Sequence, residues 1–291
     1  MTWFFLTIVA VLFIVIETIF EKKTLATARS MEFAAMFAFG NAIVLAPFVF
    51  VADLSQINIF VLGTMFLASL PSAGASFLIF KTIKHNQLSE AAPILALLPL
   101  VVAIFAFVLL GEKMTMIQLI GLLVIVGGMI LLELKNFKFD SGIFCKGRGK
   151  YIAYIILYLL IGGVSAIFDR IILFRWGINP LTYLVFIQFF IALSYIIFFF
   201  ANWHLVKELK NSVKQSWKVI FLISILVVIH RYMYASAIQV AANMGMVVAV
   251  YKLSSLFHVF SGSKFFYEDG IFKKAAASIV ILIGTILLVI K

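Results

Sequence analysis

Two cations, Arg231 and Lys252, stand inside long apolar runs, where a charge is costly and marks a functional candidate. Arg231 lies about nine residues before the end of one run, and Lys252 eight residues after the start of the next. At about 1.5 Å per residue both fall roughly 12–14 Å below the same membrane face. Two such cations repel unless an anion or a carboxylate lies between them. They suit the carboxylate or phosphate of a small substrate. The alternative is structural: either cation pairs with Asp169 or Glu17 and only holds helices together. Lys252, Ser255 and His258 share a helix face, with Tyr251 and Ser254 on the neighbouring stripe. Tyr232 and His230 flank Arg231. Aromatic rings beside a polar wall fit a small organic ligand, although each ring also reads as ordinary packing.

The acids suggest a second kind of chemistry. Glu17 ends the first apolar run with Glu21 one turn on, and Asp169 holds a similar late place in the sixth. Either Glu17 or Asp169 is a candidate for taking up a proton during a transport cycle. Glu90 opens a helix near an interface and reads as an N-terminal acid favoured by the helix dipole. Pro71, Pro93 and Pro99 interrupt apolar helices and are candidate hinges or plain kinks. His230 and His258 alone do not point to a metal site, and the single cysteine, Cys145, excludes an intramolecular disulfide. No nucleophile elbow, zinc-protease motif or phosphate loop is present, so no enzyme and no cofactor is expected.

These residues need helices in lipid to position them. The 291 residues are 65% hydrophobic and 12% charged, with a mean hydropathy of +1.18. Ten apolar runs suit membrane crossing, at about 2–20, 33–52, 57–80, 88–110, 116–134, 152–174, 181–201, 217–240, 244–266 and 272–290. Unpaired backbone is not tolerated in lipid, so the runs predict helices. The first reads as a span, not a signal peptide. The second half repeats the first at an offset of 156, with Glu112 on Glu268, Leu97 on Leu253 and Gly128 on Gly284. At that offset Arg231 and Lys252 fall on Ala75 and Ala96, so the cations belong to half two alone. Five spans per half, an odd number, invert one half relative to the other. The expected division is 1–135, a basic linker 136–150, and 151–291. Small residues such as Gly121, Gly128 and Gly284 in spans 5 and 10 permit close contact, within the fold or across a homodimer. Glu112 and Glu268 read as turn acids.

The net charge of +11 is spread over loops, which does not suggest nucleic-acid binding. The loops after odd-numbered spans hold 17 Lys and Arg and the opposite side holds 3. The positive-inside rule then puts the termini outside the cytoplasm.

Leu88-Ser89-Glu90-Ala91-Ala92-Pro93, Pro99, the Leu110-Gly111-Glu112-Lys113 turn and the Gln118…Gly121…Gly127-Gly128 helix resemble the EamA repeat of the drug/metabolite transporter superfamily. Lys252-Leu253-Ser254-Ser255-Leu256-Phe257-His258 and the following Phe266 and Glu268 are similar to a pattern in one branch of that family. Half two departs from the repeat, with Tyr267 before Glu268 and Ala249 and Ser255 in place of Pro93 and Pro99. The resemblance implies a central cavity lined by spans 1, 3, 4, 6, 8 and 9, alternating access, and both termini in the cytoplasm, against the charge count. Small multidrug transporters of the superfamily use a first-helix glutamate for protons, and Glu17 looks like it.

The expectation is therefore an all-α integral membrane protein, with ten transmembrane helices in two inverted five-helix repeats. It moves a small anion or zwitterion, such as an amino acid or organic acid, across the plasma or inner membrane. The partners expected are that substrate and membrane lipid. A lipid-carrier flippase of the same fold and a non-transporting interaction protein are the competing readings. A groove open to lipid favours the first. Internally paired cations without a cavity favour the second.

Overall fold

A computed structural model describes residues 1–25, 29–85, 94–133, 149–202, 206–255 and 271–289. They form ten helices, one in each expected span: α1 (Thr2–Leu25), α2 (Ser30–Leu45), α3 (Ile59–His85), α4 (Leu98–Leu110), α5 (Met116–Glu133), α6 (Gly149–Arg170), α7 (Pro180–Ala201), α8 (Val206–Val240), α9 (Met244–Tyr251) and α10 (Ile271–Val289). A 3-10 turn, Ala46–Phe50, follows α2, and a π turn, Ile171–Arg175, continues α6. Six of the helical segments, α2 taken with its 3-10 turn and α6 with its π turn, are long and apolar enough to cross a membrane. The exposed large side chains of the helical segments include Phe50, Ile59, Phe107 and Phe200, as expected where the solvent is lipid rather than water.

The helices pack across the two halves more than within them. The closest pairs include α1 with α8 and α3 with α6, which exchange under a shift of five helices. The pairs α2 with α8 and α3 with α7 exchange in the same way, while α5 with α10 maps onto itself. The repeat is therefore a pseudo-two-fold arrangement of two inverted five-helix units.

The α5–α10 contact carries that symmetry down to atoms. A Cβ on Gly128 would lie 2.6 Å from the Ile281 side chain, and one on Gly284 would lie 2.8 Å from Ile125. Ile125 and Ile281 are themselves related by the 156-residue offset. A Cβ on Gly121 would meet the Gly284 carbonyl at 2.9 Å. Gly121, Gly128 and Gly284 therefore serve contact inside the fold.

Spans 4 and 9 both break at matching positions. Residues 94–95 are helical, Ala96 and Leu97 turn, and α4 begins at Leu98. Likewise α9 stops at Tyr251, Lys252 and Leu253 turn, and residues 254–255 are helical again. Leu97 N–H donates to the Ile94 carbonyl and Leu253 N–H to the Val250 carbonyl, each at 3.0 Å and again 156 residues apart. Pro99 is thus not a mid-helix kink. It sits in the first turn of α4, where a missing N–H costs nothing. Pro71 does lie inside a helix, α3. Glu90, Pro93, Cys145, His258, Glu268 and most of the 136–150 linker lie outside the described residues.

Candidate functional site

Irregular backbone at membrane depth is tolerated where it faces protein or a cavity rather than lipid. Both breaks do so: Ala96 and Lys252 line one cavity of about 420 Å³ between the two halves. Its walls come from spans 1, 3, 4, 6, 8 and 9, with Phe37 of α2 and three residues of α7.

Arg231 and Lys252 both line this cavity, as their depths require. Among the described residues neither lies within ion-pair distance of a carboxylate. Arg231 shares the cavity wall with Glu17, Glu21 and Asp169. Lys252 is placed by the break itself: it caps α9, its N–H donating to the Val248 carbonyl. Span 9 lines the cavity through Val248, Tyr251, Lys252, Ser254 and Ser255.

The acids sit deeper than their sequence positions suggest. Helix α1 runs to Leu25, beyond the expected end near residue 20, so Glu17 and Glu21 are interior and buried. Glu17 Oε2 faces His230 Nδ1 at 2.5 Å. On the other wall, Tyr183 donates its hydroxyl to Asp169 Oδ1 at 2.5 Å. Ser72 of α3 and Ser165 of α6 hydrogen-bond at 2.8 Å across the seam between the halves. Tyr234 and Tyr251 lie with ring centroids 4.4 Å apart, and His230 borders Tyr251 at 6.2 Å.

Residues 1–134 match the EamA-like transporter family. The first half of the chain is an EamA-like transporter unit. That match, to transporters rather than enzymes, supports a multi-pass membrane transporter of the drug/metabolite type. No curated protein matches the sequence. A solved crystal structure covers 99% of this chain and 96% of its own, with a TM-score of 0.70 and 15% identity. It shares the fold over both halves.

Within this EamA-like fold the cavity gathers Arg231, Lys252, Tyr251, Ser255, His230, Glu17, Asp169 and Ala96. It does not gather Tyr232, which is 39% exposed on the outer face of α8. Adjacent helical residues are about 100° apart, so when Arg231 points inward Tyr232 points away. Tyr234, three residues on, is the aromatic that shares the inward stripe. Tyr183 and Tyr158 also line the cavity, and neither carries a signal in the sequence that marks it. Nor is Glu112 merely a turn acid. It pairs with Arg170, which is fully buried at the end of α6.

Proposed function

We propose that this transporter carries a small anion or zwitterion, such as an amino acid or organic acid, across the plasma or inner membrane by alternating access. The observation behind this reading is the cavity between the halves, with Arg231 and Lys252 in its wall and no carboxylate within ion-pair reach of either among the described residues. A cavity of about 420 Å³ is of small-ligand size. The substrate's anionic group sits between the two cations. Its organic part lies on Tyr234 and Tyr251, and Asp169 opposite takes an ammonium where the substrate has one. Protons exchanged at Glu17, and at Asp169, drive accumulation. Residues 1–135 and 151–291 rock about the site, with the broken spans 4 and 9 and Pro71 absorbing the bend.

The test is a thermal-shift screen of small anions and zwitterions on purified protein, beside Lys252→Ala and Arg231→Ala. A ligand that binds only the folded state raises the melting temperature with concentration. A hit on wild type is expected to weaken by at least about tenfold in each variant, as loss of a charged hydrogen bond implies. Hits that act equally on all three proteins would make the cations structural.

A further inference from the structure

The cavity is unequal at its two ends. At one end its lining reaches Lys22, which is exposed near the last turn of α1. At the other it stops at Leu173, Leu184 and Ile238, all buried. Beyond Leu173 and Ile238 lies the side of the molecule that carries the turns after even-numbered helices.

That closed end is held by a charged cluster. Arg170 donates through Nε to Glu112, through Nη1 to the Ile238 carbonyl at 2.5 Å, and through Nη2 to the Ala242 carbonyl at 3.1 Å. Its guanidinium lies 3.6 Å from the Phe174 ring centroid. The second oxygen of Glu112 accepts the Met244 N–H at 2.8 Å, capping α9. Glu112 is aimed by the turn before it. Gly111 ends α4 with φ 69°, its N–H donates to the Phe107 carbonyl, and Glu112 N–H donates to Ala106. One arginine thus ties the α4–α5 turn of half one to α6 and the α8–α9 turn of half two. Nearby, Arg175 Nη2 donates to the Leu110 carbonyl at 2.5 Å.

The sequence repeat makes this cluster one-sided. At the 156-residue offset Glu112 has a counterpart acid, Glu268, but the counterpart of Arg170 is Ile14. An interaction present in one of two facing states shifts the equilibrium toward that state.

We propose that Glu112 and Arg170 form a latch that closes the even-turn end of the cavity and must open once per transport cycle. This rests on the alternating-access reading, but its test needs no substrate. In a Cys145→Ser background, Leu184→Cys places a thiol in the cavity wall near the latch. A membrane-impermeant thiol reagent is applied to each face of sealed vesicles. Gln56→Cys, exposed in the turn after α2, identifies the even face. With the latch intact, Leu184→Cys is expected to react from the opposite face. Glu112→Gln and, separately, Arg170→Lys should raise its reaction from the even face several-fold, with reaction from the opposite face falling or unchanged. Arg170→Lys keeps the charge but cannot hold Glu112 and the Ile238 and Ala242 carbonyls together, and it decides the matter if Glu112→Gln does not fold. Unchanged sidedness in folded protein overturns the latch, as does an equal rise from both faces, which signals a loosened fold. Either result leaves the ligand screen on Arg231 and Lys252 to stand or fall by itself.

Discussion

At the residue scale, charge is placed by which helix face meets the cavity. Arg231 and Lys252 were legible because few other charges interrupt the apolar runs, and depth from the shared membrane face follows from counting residues. The pairing of Glu17 with His230 was not legible, because it depends on α1 packing along α8, helices far apart in sequence. That pairing gives Glu17 a testable role. If it carries the coupling proton, Glu17→Gln should abolish accumulation driven by a proton gradient, while exchange of labelled for unlabelled substrate continues. Vesicle uptake with and without the gradient checks this, and loss of both activities would make Glu17 part of the substrate site or of the fold. Tyr183→Phe removes one hydrogen bond to Asp169 and should cost about 1 kcal/mol of stability, read as a lowered melting temperature.

At the element scale, the 156-residue offset carried the architecture. It linked Gly128 to Gly284 and Ala96 to Lys252, and the structure uses both relations, in the α5–α10 contact and in the paired helix breaks. Composition could not show the breaks, since an interrupted apolar helix and a continuous one have the same hydropathy. Prolines were a misleading guide there: Pro99 starts a helix, and span 9 breaks with no proline at all. The α5–α10 seam predicts a strong size dependence. Gly121→Val must push against the Gly284 and Leu288 backbone, whereas a Cβ on Gly127 has no atom within 4 Å, so Gly127→Val starts in open space. The first should destabilise by about 1–3 kcal/mol, the range for overpacking. The second should shift the melting temperature far less, and equal shifts would mean the seam yields freely.

At the scale of the whole molecule, inversion of the halves leaves open which face looks into the cell. The 17 to 3 distribution of Lys and Arg places the odd-numbered loops in the cytoplasm. Short loops give that bias its full weight, and Lys22 and Lys23 at the end of α1 are exposed on that side. The family resemblance implies the reverse. Cys145, the single cysteine, lies in the linker after the fifth span, so the chain carries its own reporter. From the charge count, an impermeant maleimide should label Cys145 only after cells are permeabilised. Labelling in intact cells would put both termini in the cytoplasm, and partial labelling that saturates would show insertion in both directions. The outcome also assigns the cavity. If the charge count holds, the mouth beside Lys22 faces the cytoplasm and the Glu112–Arg170 cluster closes the outer end. An impermeant anion that binds the site would then protect the Leu184→Cys thiol when added from the cytoplasmic side and not from outside.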